Sequence, residues 1–467
     1  MAAPISPETL HLSVRKLSER IRKREVSPVA LASAYIERLE KVGPSLGAVV
    51  TVTRDLAIAE AKAAEAEIAA GKWRGPLHGI PYGVKDLLAT KGIPTTWGAE
   101  PFREQVFDHD ATVVRKLREA GAVLVAKLAM VELAGAFGYN NPDASFTGPG
   151  RSPWNVNFWS GGSSSGPAAA TAAGLVGFSI GSETSGSIIT PAAYSGVAGF
   201  RPTYGRVSRH GAMALCWTLD KLGPMCRTAE DCGLVMAAIA GADPLDPTTV
   251  HRPWRSHAGA RRFRIGVLRG SAEKAQPEVR KNFEEAVKVL RSFCDVTDDV
   301  PFPDFPYGPA VSTIVGAEGA SAFRDLIESG GTQKLRAPND KWGGFAGSMV
   351  LAVDYLQAMR LRAPVRKALD ELCRTYDALV APSRQTVASP IGVDFDKAYP
   401  GVGGGPAVIP AGNLAGQPAI SVLSGFGQNG LPTGIQFQGR AFSDETLVAL
   451  ATEYQRRTDW HTKRPPV

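Results

Sequence analysis

Cysteine is scarce in this chain, and what there is falls in no pattern. Five cysteines occur in 467 residues (Cys216, Cys226, Cys232, Cys294 and Cys373), with no Cys-x-x-Cys spacing. An odd, scattered set fits neither a disulfide framework nor a zinc site, so a reducing compartment is expected. Histidine is nearly as rare, at seven residues. His78, His109 and His210 have no clustered ligand set around them, so they read as structural and no metal is expected. Long apolar runs are missing: no stretch reaches the ~18 strongly apolar residues of a membrane span. The start, Met-Ala-Ala-Pro-Ile-Ser-Pro, also lacks the basic and apolar regions of a secretory leader. A cytoplasmic chain with no membrane partner is therefore expected. Charge of one sign is thin as well: a net +7 without a long basic run gives no electrostatic ground for nucleic acid, and none is expected as a partner. The densest arginine cluster, Arg252, Arg255, Arg261, Arg262 and Arg264, reads as a solvated linker entering a strand.

What is present describes a globular enzyme. Apolar residues make up 44% and charged ones 21% of the chain, which excludes a largely disordered protein. The length exceeds the ~250–300 residues of a single ordinary core, so two domains or one large elaborated sheet are the choices. Three helices are expected first, over residues 7–24, 28–41 and 54–70, the second opening on Ser27 as N-cap and Pro28 in the first turn. Strand, helix and strand follow over 80–85, 111–120 and 123–128, the alternation of a sheet covered by helices. The stretch 134–159 is rich in Gly, Pro, Asn and aromatics and is too long for an idle connection, so it is expected to line a site. Residues 300–350 show little pattern. Beyond 241, strands are expected near 263–268, 378–381, 419–423 and 433–438, with helices over 278–293, 355–376 and 442–457.

Glycine is concentrated: 16 of the 50 glycines fall between Gly135 and Gly223. Within that region, Ser160 to Pro191 contains two Gly-Ser loops joined by a small-residue helix and a short apolar run. Such loops bring backbone N–H groups close to an anion or a developing oxyanion, and their hydroxyls offer a nucleophile that needs a base from elsewhere. Gly162-Ser-Ser-Ser-Gly166 matches the five-residue nucleophile elbow, which would select Ser164. The turn-rich Pro153-Trp-Asn-Val-Asn-Phe-Trp159 before it is the wrong context, because the elbow follows a strand. A phosphate loop fails too, since no Gly-Lys-Ser/Thr follows.

Gly161-Gly-Ser-Ser164, the run Gly181-Ser-Glu-Thr-Ser-Gly-Ser-Ile-Ile-Thr-Pro-Ala192 and Gly199-Phe-Arg-Pro-Thr-Tyr-Gly-Arg-Val-Ser208 together resemble the amidase signature family of serine hydrolases. Gly79-Ile-Pro-Tyr-Gly-Val-Lys-Asp86, Pro153-Trp-Asn155, Leu222-Gly-Pro224 and Leu431-Pro-Thr-Gly-Ile-Gln436 extend that similarity, in order, over nearly the whole chain. The resemblance implies a Ser-Ser-Lys triad. It assigns the nucleophile to Ser187, a bridging serine behind a cis peptide to Ser163, 24 residues earlier, and the base to Lys85. It also implies an oxyanion hole from the backbone N–H groups of Thr184, Ser185, Gly186 and Ser187. Chemistry agrees on one condition: a lysine serves as base only if burial lowers its pKa from about 10.4. Asp86 is adjacent to Lys85, but neighbouring strand residues face opposite ways, so it need not touch the ammonium.

The expected fold is one α/β/α domain around a large mixed β-sheet with helices on both faces. Residues 1–75 form a helical layer, 78–240 the signature core, and 241–467 the specificity region that completes the sheet. The expected activity is hydrolysis of amide C–N bonds through a serine acyl-enzyme without cofactor; carbamate or ester cleavage with the same triad is the near alternative. Tyr139 and Arg206 are expected to line the pocket. The sequence departs from common family patterns at Glu183, Ser185 and Ile189, where many members carry Asp, Gly and Arg. Losing that arginine favours a free-standing hydrolase over a subunit of a tRNA-dependent amidotransferase. The expected partners are a small amide or carbamate substrate and, at most, a second copy of the chain.

Overall fold

Val-Leu-Val-Ala-Lys-Leu over Val123–Leu128 is buried at every position, and so are Pro81–Lys85, Phe178–Glu183 and Lys221–Cys226. Strands buried throughout must be covered on both faces, which sets the layer order of the molecule. The computed structural model describes residues 5–255 and 262–467. Arg261, of the arginine cluster, and the first four residues lie outside the described residues. In chain order the strands are β1 (Val49–Val52), β2 (Pro81–Lys85), β3 (Val123–Leu128), β4 (Arg151–Ser152), β5 (Asn155–Trp159), β6 (Phe178–Glu183), β7 (Ala198–Arg201), β8 (Lys221–Cys226), β9 (Phe263–Leu268), β10 (Cys294–Val300), β11 (Ala378–Pro382), β12 (Ala419–Phe426) and β13 (Pro432–Gln438).

Among the described residues, β4 and β5 form a small ribbon and the other eleven strands form one sheet, ordered β1-β3-β2-β6-β8-β7-β12-β13-β11-β9-β10. The sheet is mixed. β3, β2 and β6 run parallel, as do β11, β9 and β10, whereas the centre from β6 to β11 is antiparallel at each step. Two short helices, Ser165–Ala172 and Ile189–Ser195, are buried at every residue and pack on each other beside the middle of the sheet. The small side chains of the first permit that depth. A Cβ at Gly166 would stand 2.5 Å from the backbone of Ala48 and Ala129.

Local signals mark most boundaries. The helix Pro28–Leu46 starts as expected, with the Ser27 hydroxyl accepting from Ala30 N, and ends at Gly47 in the left-handed conformation. Three features differ from expectation. The N-terminal segment is more than a helical layer, since it also supplies β1, paired antiparallel with β3 at the sheet edge. The irregular 134–159 stretch holds the β4–β5 ribbon. Residues 300–350, poor in pattern, hold helices Tyr307–Ala322, Arg324–Glu328 and Asp340–Ser348. Their glycines hide the helical period and also explain the packing: a Cβ at Gly347 would stand 2.5 Å from the Gly316 carbonyl oxygen. Among the described residues, no helix is long and apolar enough to cross a membrane.

Candidate active site

Lys85 ends β2 in the interior, with none of its surface exposed. Its Nζ donates to Ser163 Oγ at 2.7 Å and to Ser182 Oγ at 2.9 Å. Burial strips hydration from the ammonium and brings its pKa down to about 7, against the opposing pull of the Asp220 and Glu183 carboxylates. Asp86 faces away. It pairs with Lys127 at 3.0 Å, both side chains fully buried, and accepts from Thr96 N and Thr96 Oγ1. Strand alternation therefore keeps the neighbouring carboxylate off Lys85.

The first Gly-Ser loop lies against the second. Ser163 is fully buried, and the Gly162–Ser163 peptide is cis. Gly161, at φ 88°, sits where a Cβ would be 2.5 Å from Pro191 Cα, so the contact between the loops requires glycine. Ser164 N donates to the Ser187 carbonyl at 3.3 Å. The Ser164 hydroxyl donates to the Ser182 carbonyl at 3.1 Å and also lies 3.3 Å from Ser182 N, which accounts for it as a structural group. Ser187, by contrast, is only half-buried and lines a cavity of about 770 Å³.

Glu183 holds the second loop in shape. Its Oε2 accepts from Ile188 N at 2.9 Å and Ile189 N at 3.0 Å, at the start of the helix Ile189–Ser195. Its Oε1 accepts from Arg201 Nη1 and Asn413 Nδ2, each at 2.8 Å. Burial works against this carboxylate, but Arg201 and these hydrogen bonds bring its pKa down to about 2. Thr184 Oγ1 donates to Asp220 Oδ1 at 2.6 Å, which pins the other end of the loop. The N–H groups of Thr184, Ser185, Gly186 and Ser187 have no acceptor among the described residues. Thr184, Ser185 and Ser187 line the cavity, so unspent donors and a hydroxyl converge on one space.

The structure thus brings Lys85 and Ser163 into direct contact and places Ser187 on the adjoining loop. Tyr139 lines the same cavity and meets Trp159 and Phe395 edge-on, with ring centroids 6.0 and 5.7 Å away. Arg206 does not line it. Its guanidinium is fully buried elsewhere, bonded to Glu445 and the Arg252 and Pro253 carbonyls and lying 5.5 Å from the Trp254 ring. The expectation for Arg206 is corrected: it ties the 252–254 segment to the helix Asp444–Arg456. Sequence reasoning missed Ser182 because it counted the residue in the second Gly-Ser loop, whereas β6 runs to Glu183. It also missed Arg384, which lines the cavity at the end of β11 and carried no motif.

Comparison with known proteins adds three findings. The model of the protein family described as Amidase matches residues 30–448. The chain is 37% identical to a Glutamyl-tRNA(Gln) amidotransferase subunit from Roseiflexus sp. (strain RS-1), over 97% of this chain and 98% of that one. Among solved structures it is similar to the native peptide amidase of Stenotrophomonas maltophilia, at TM-score 0.85 and 32% identity, covering 97% of this chain and 98% of that one. A chain from a vestigial protein complex that bears on the evolutionary origins of an s-triazine catabolic enzyme is similar at TM-score 0.86 and 30% identity, with 95% and 98% covered. A relative named for a tRNA-dependent amidotransferase backs the reading that Ile189 was expected to disfavour, and it runs against an expectation that excludes nucleic acid.

Proposed function

The chain belongs to the amidase family, and from that membership and the geometry around Lys85 we propose that it cleaves amide C–N bonds through an acyl-enzyme on Ser187. The observation that carries the reading is a fully buried lysine with a pKa of about 7, hydrogen-bonded at 2.7 Å to a serine beside a cavity-lining serine. A base with its pKa near the working pH is half deprotonated and still basic enough to accept a proton. In this mechanism the Ser187 hydroxyl attacks the amide carbonyl while its proton passes to Ser163, whose own proton passes to neutral Lys85. The oxyanion is met by the free N–H groups of the 184–187 loop, a contribution of about 2.7–4 kcal/mol per donor. The proton returns through Ser163 to the leaving amine, and water then releases the acid. Carbamates present the same carbonyl and are the near alternative substrate.

The test is Ser187→Ala. It should lower anilide hydrolysis by roughly 10³-fold or more, and mass spectrometry of wild-type protein quenched with substrate should find the acyl group on the Ser187 peptide. Undiminished hydrolysis in the variant would remove Ser187 from this role.

A second reading is favoured by the name its relative carries: a subunit that releases ammonia from an amide within a tRNA-dependent amidotransferase. Both readings share the serine chemistry and differ in assembly. Glutaminase activity that appears only with a co-purifying tRNA-binding partner supports the amidotransferase reading. Turnover of small amides by the isolated chain supports the free-standing hydrolase.

A further inference from the structure

Among the described residues, one charged side chain lines the cavity that holds Ser187, and it is Arg384. The rest of the wall is neutral: aromatic at Tyr139, Trp159, Phe395 and Tyr399, hydroxyl-bearing at Ser187 and Thr190, and glycine-rich over Gly403–Gly405. Arg384 lies two residues past the end of β11, and its position is firmly held. Ser383 N donates to the Gly434 carbonyl at 2.8 Å, and Ser383 Oγ lies 2.7 Å from Ser421 Oγ. The arginine side chain is exposed to the cavity space. Among the described residues it has no ion pair with a carboxylate; its near polar neighbours are the Tyr194 and Tyr139 hydroxyls.

Other cations held inside the molecule are met by protein acceptors. Lys127 has Asp86, Arg201 has Glu183 and Arg206 has Glu445, while Lys85 donates to serine hydroxyls and Arg227 and Arg362 donate to backbone carbonyls. A cation stripped of water without a partner is costly, and a neutral ligand filling this cavity would strip Arg384 in that way. A ligand with a carboxylate would supply the missing partner, and the planar guanidinium fork binds a carboxylate by two parallel hydrogen bonds. We propose that the cavity selects amides that carry a carboxylate, and that Arg384 is the group that pairs with it. This rests on reading the cavity as the substrate site of the Ser187 chemistry. The aromatic wall beside it accommodates the apolar part of such a substrate.

The experiment compares matched pairs: glutaric acid monoanilide against hexananilide, and N-pentanoyl-4-aminobenzoate against N-pentanoylaniline, which place the charge on the acyl and the leaving side. In wild-type protein the acid of one pair should be favoured in kcat/KM by roughly 10- to 100-fold, as expected for a charge-assisted bidentate pair. That ratio should collapse toward one in Arg384→Met, chiefly through KM, survive in part in Arg384→Lys, and shrink as salt is raised. A calorimetric titration of Ser187→Ala with the same anilides reads binding without turnover and should show the same preference. No preference for either acid in binding and rate, or a ratio unmoved in a folded Arg384→Met, overturns the inference. If neither pair is hydrolysed yet the acid binds through Arg384, the carboxylate site stands and the hydrolase reading fails. If hydrolysis requires Ser187 but ignores Arg384, the reverse holds.

Discussion

Lys85 has the residue type and position that a proton-accepting lysine needs, and its environment explains why it differs from an ordinary surface lysine. With no exposed area and two serine hydroxyls as its contacts, its charged form loses more than its neutral form. The proposed mechanism requires the neutral amine. kcat/KM should therefore fall with a one-proton slope as pH drops through about 7, and be flat above it. Lys85→Met should lower the rate by roughly 10²–10⁴-fold, the span of a general-base contribution, and abolish that acid limb. A pH–rate profile of both proteins checks this. The condition on burial was legible from the sequence, because Lys85 closes an apolar strand pattern. Ser182, the second hydroxyl on Lys85, was not, because Gly-Ser composition reads as loop although the residues lie in a strand.

At the scale of elements, the loop 184–187 is held at both ends by carboxylates on the strands beneath it, Glu183 on β6 and Asp220 just before β8. Glu183 serves the loop, the following helix, Arg201 on β7 and Asn413 at once. Glu183→Gln should therefore damage more than one contact. It leaves the fully buried Arg201 without its counter-charge, at a cost of about 3–5 kcal/mol, and frees the N–H groups of Ile188 and Ile189. Denaturant unfolding should show that loss, and kcat should fall with it because the 184–187 donors lose their fixed direction. Glu183→Asp keeps the charge and should be milder on both counts. The sequence singled out Glu183 only as a departure from a common aspartate; its reach to Arg201 and Asn413 crosses 18 and 230 residues, beyond any local signal.

Across the whole molecule, a second carboxylate pair links the 132–143 segment to the helix Asp340–Ser348. Glu132 accepts from Arg336 N at 2.9 Å and Ala337 N at 2.7 Å, with Asp340 fully buried beside it. Burial, then the Glu132 charge, pushes the Asp340 pKa from 3.8 up to about 10. A pKa raised on folding gives stability that is complete below the unfolded value and is lost as pH rises toward the folded one, by up to about 1.4 kcal/mol per unit for one proton. Asp340→Asn removes that proton. Its melting temperature should gain on the wild type progressively between about pH 6 and about pH 9, with most of the gap at the alkaline end. A gap independent of pH would show that Asp340 is not protonated in the folded chain.

The sequence by itself determined the candidate chemistry and most of the elements. Lys85, Ser163 and Ser187 stand out as candidates through the ordered motifs that resemble a known family, and helices and strands with strong periods, such as 123–128 and 263–268, are written in neighbouring residues. Only the tertiary structure decided which charges meet. It turned Asp86 toward Lys127, sent Arg206 to Glu445, and left Arg384 facing the cavity with no carboxylate partner among the described residues. It also made helices of 307–348, where glycines erase the period and close packing between helices replaces it. The reason is the same in each case: propensity and periodicity act over a few residues, whereas pairing and burial join residues that the eleven-stranded sheet brings together from distant parts of the chain.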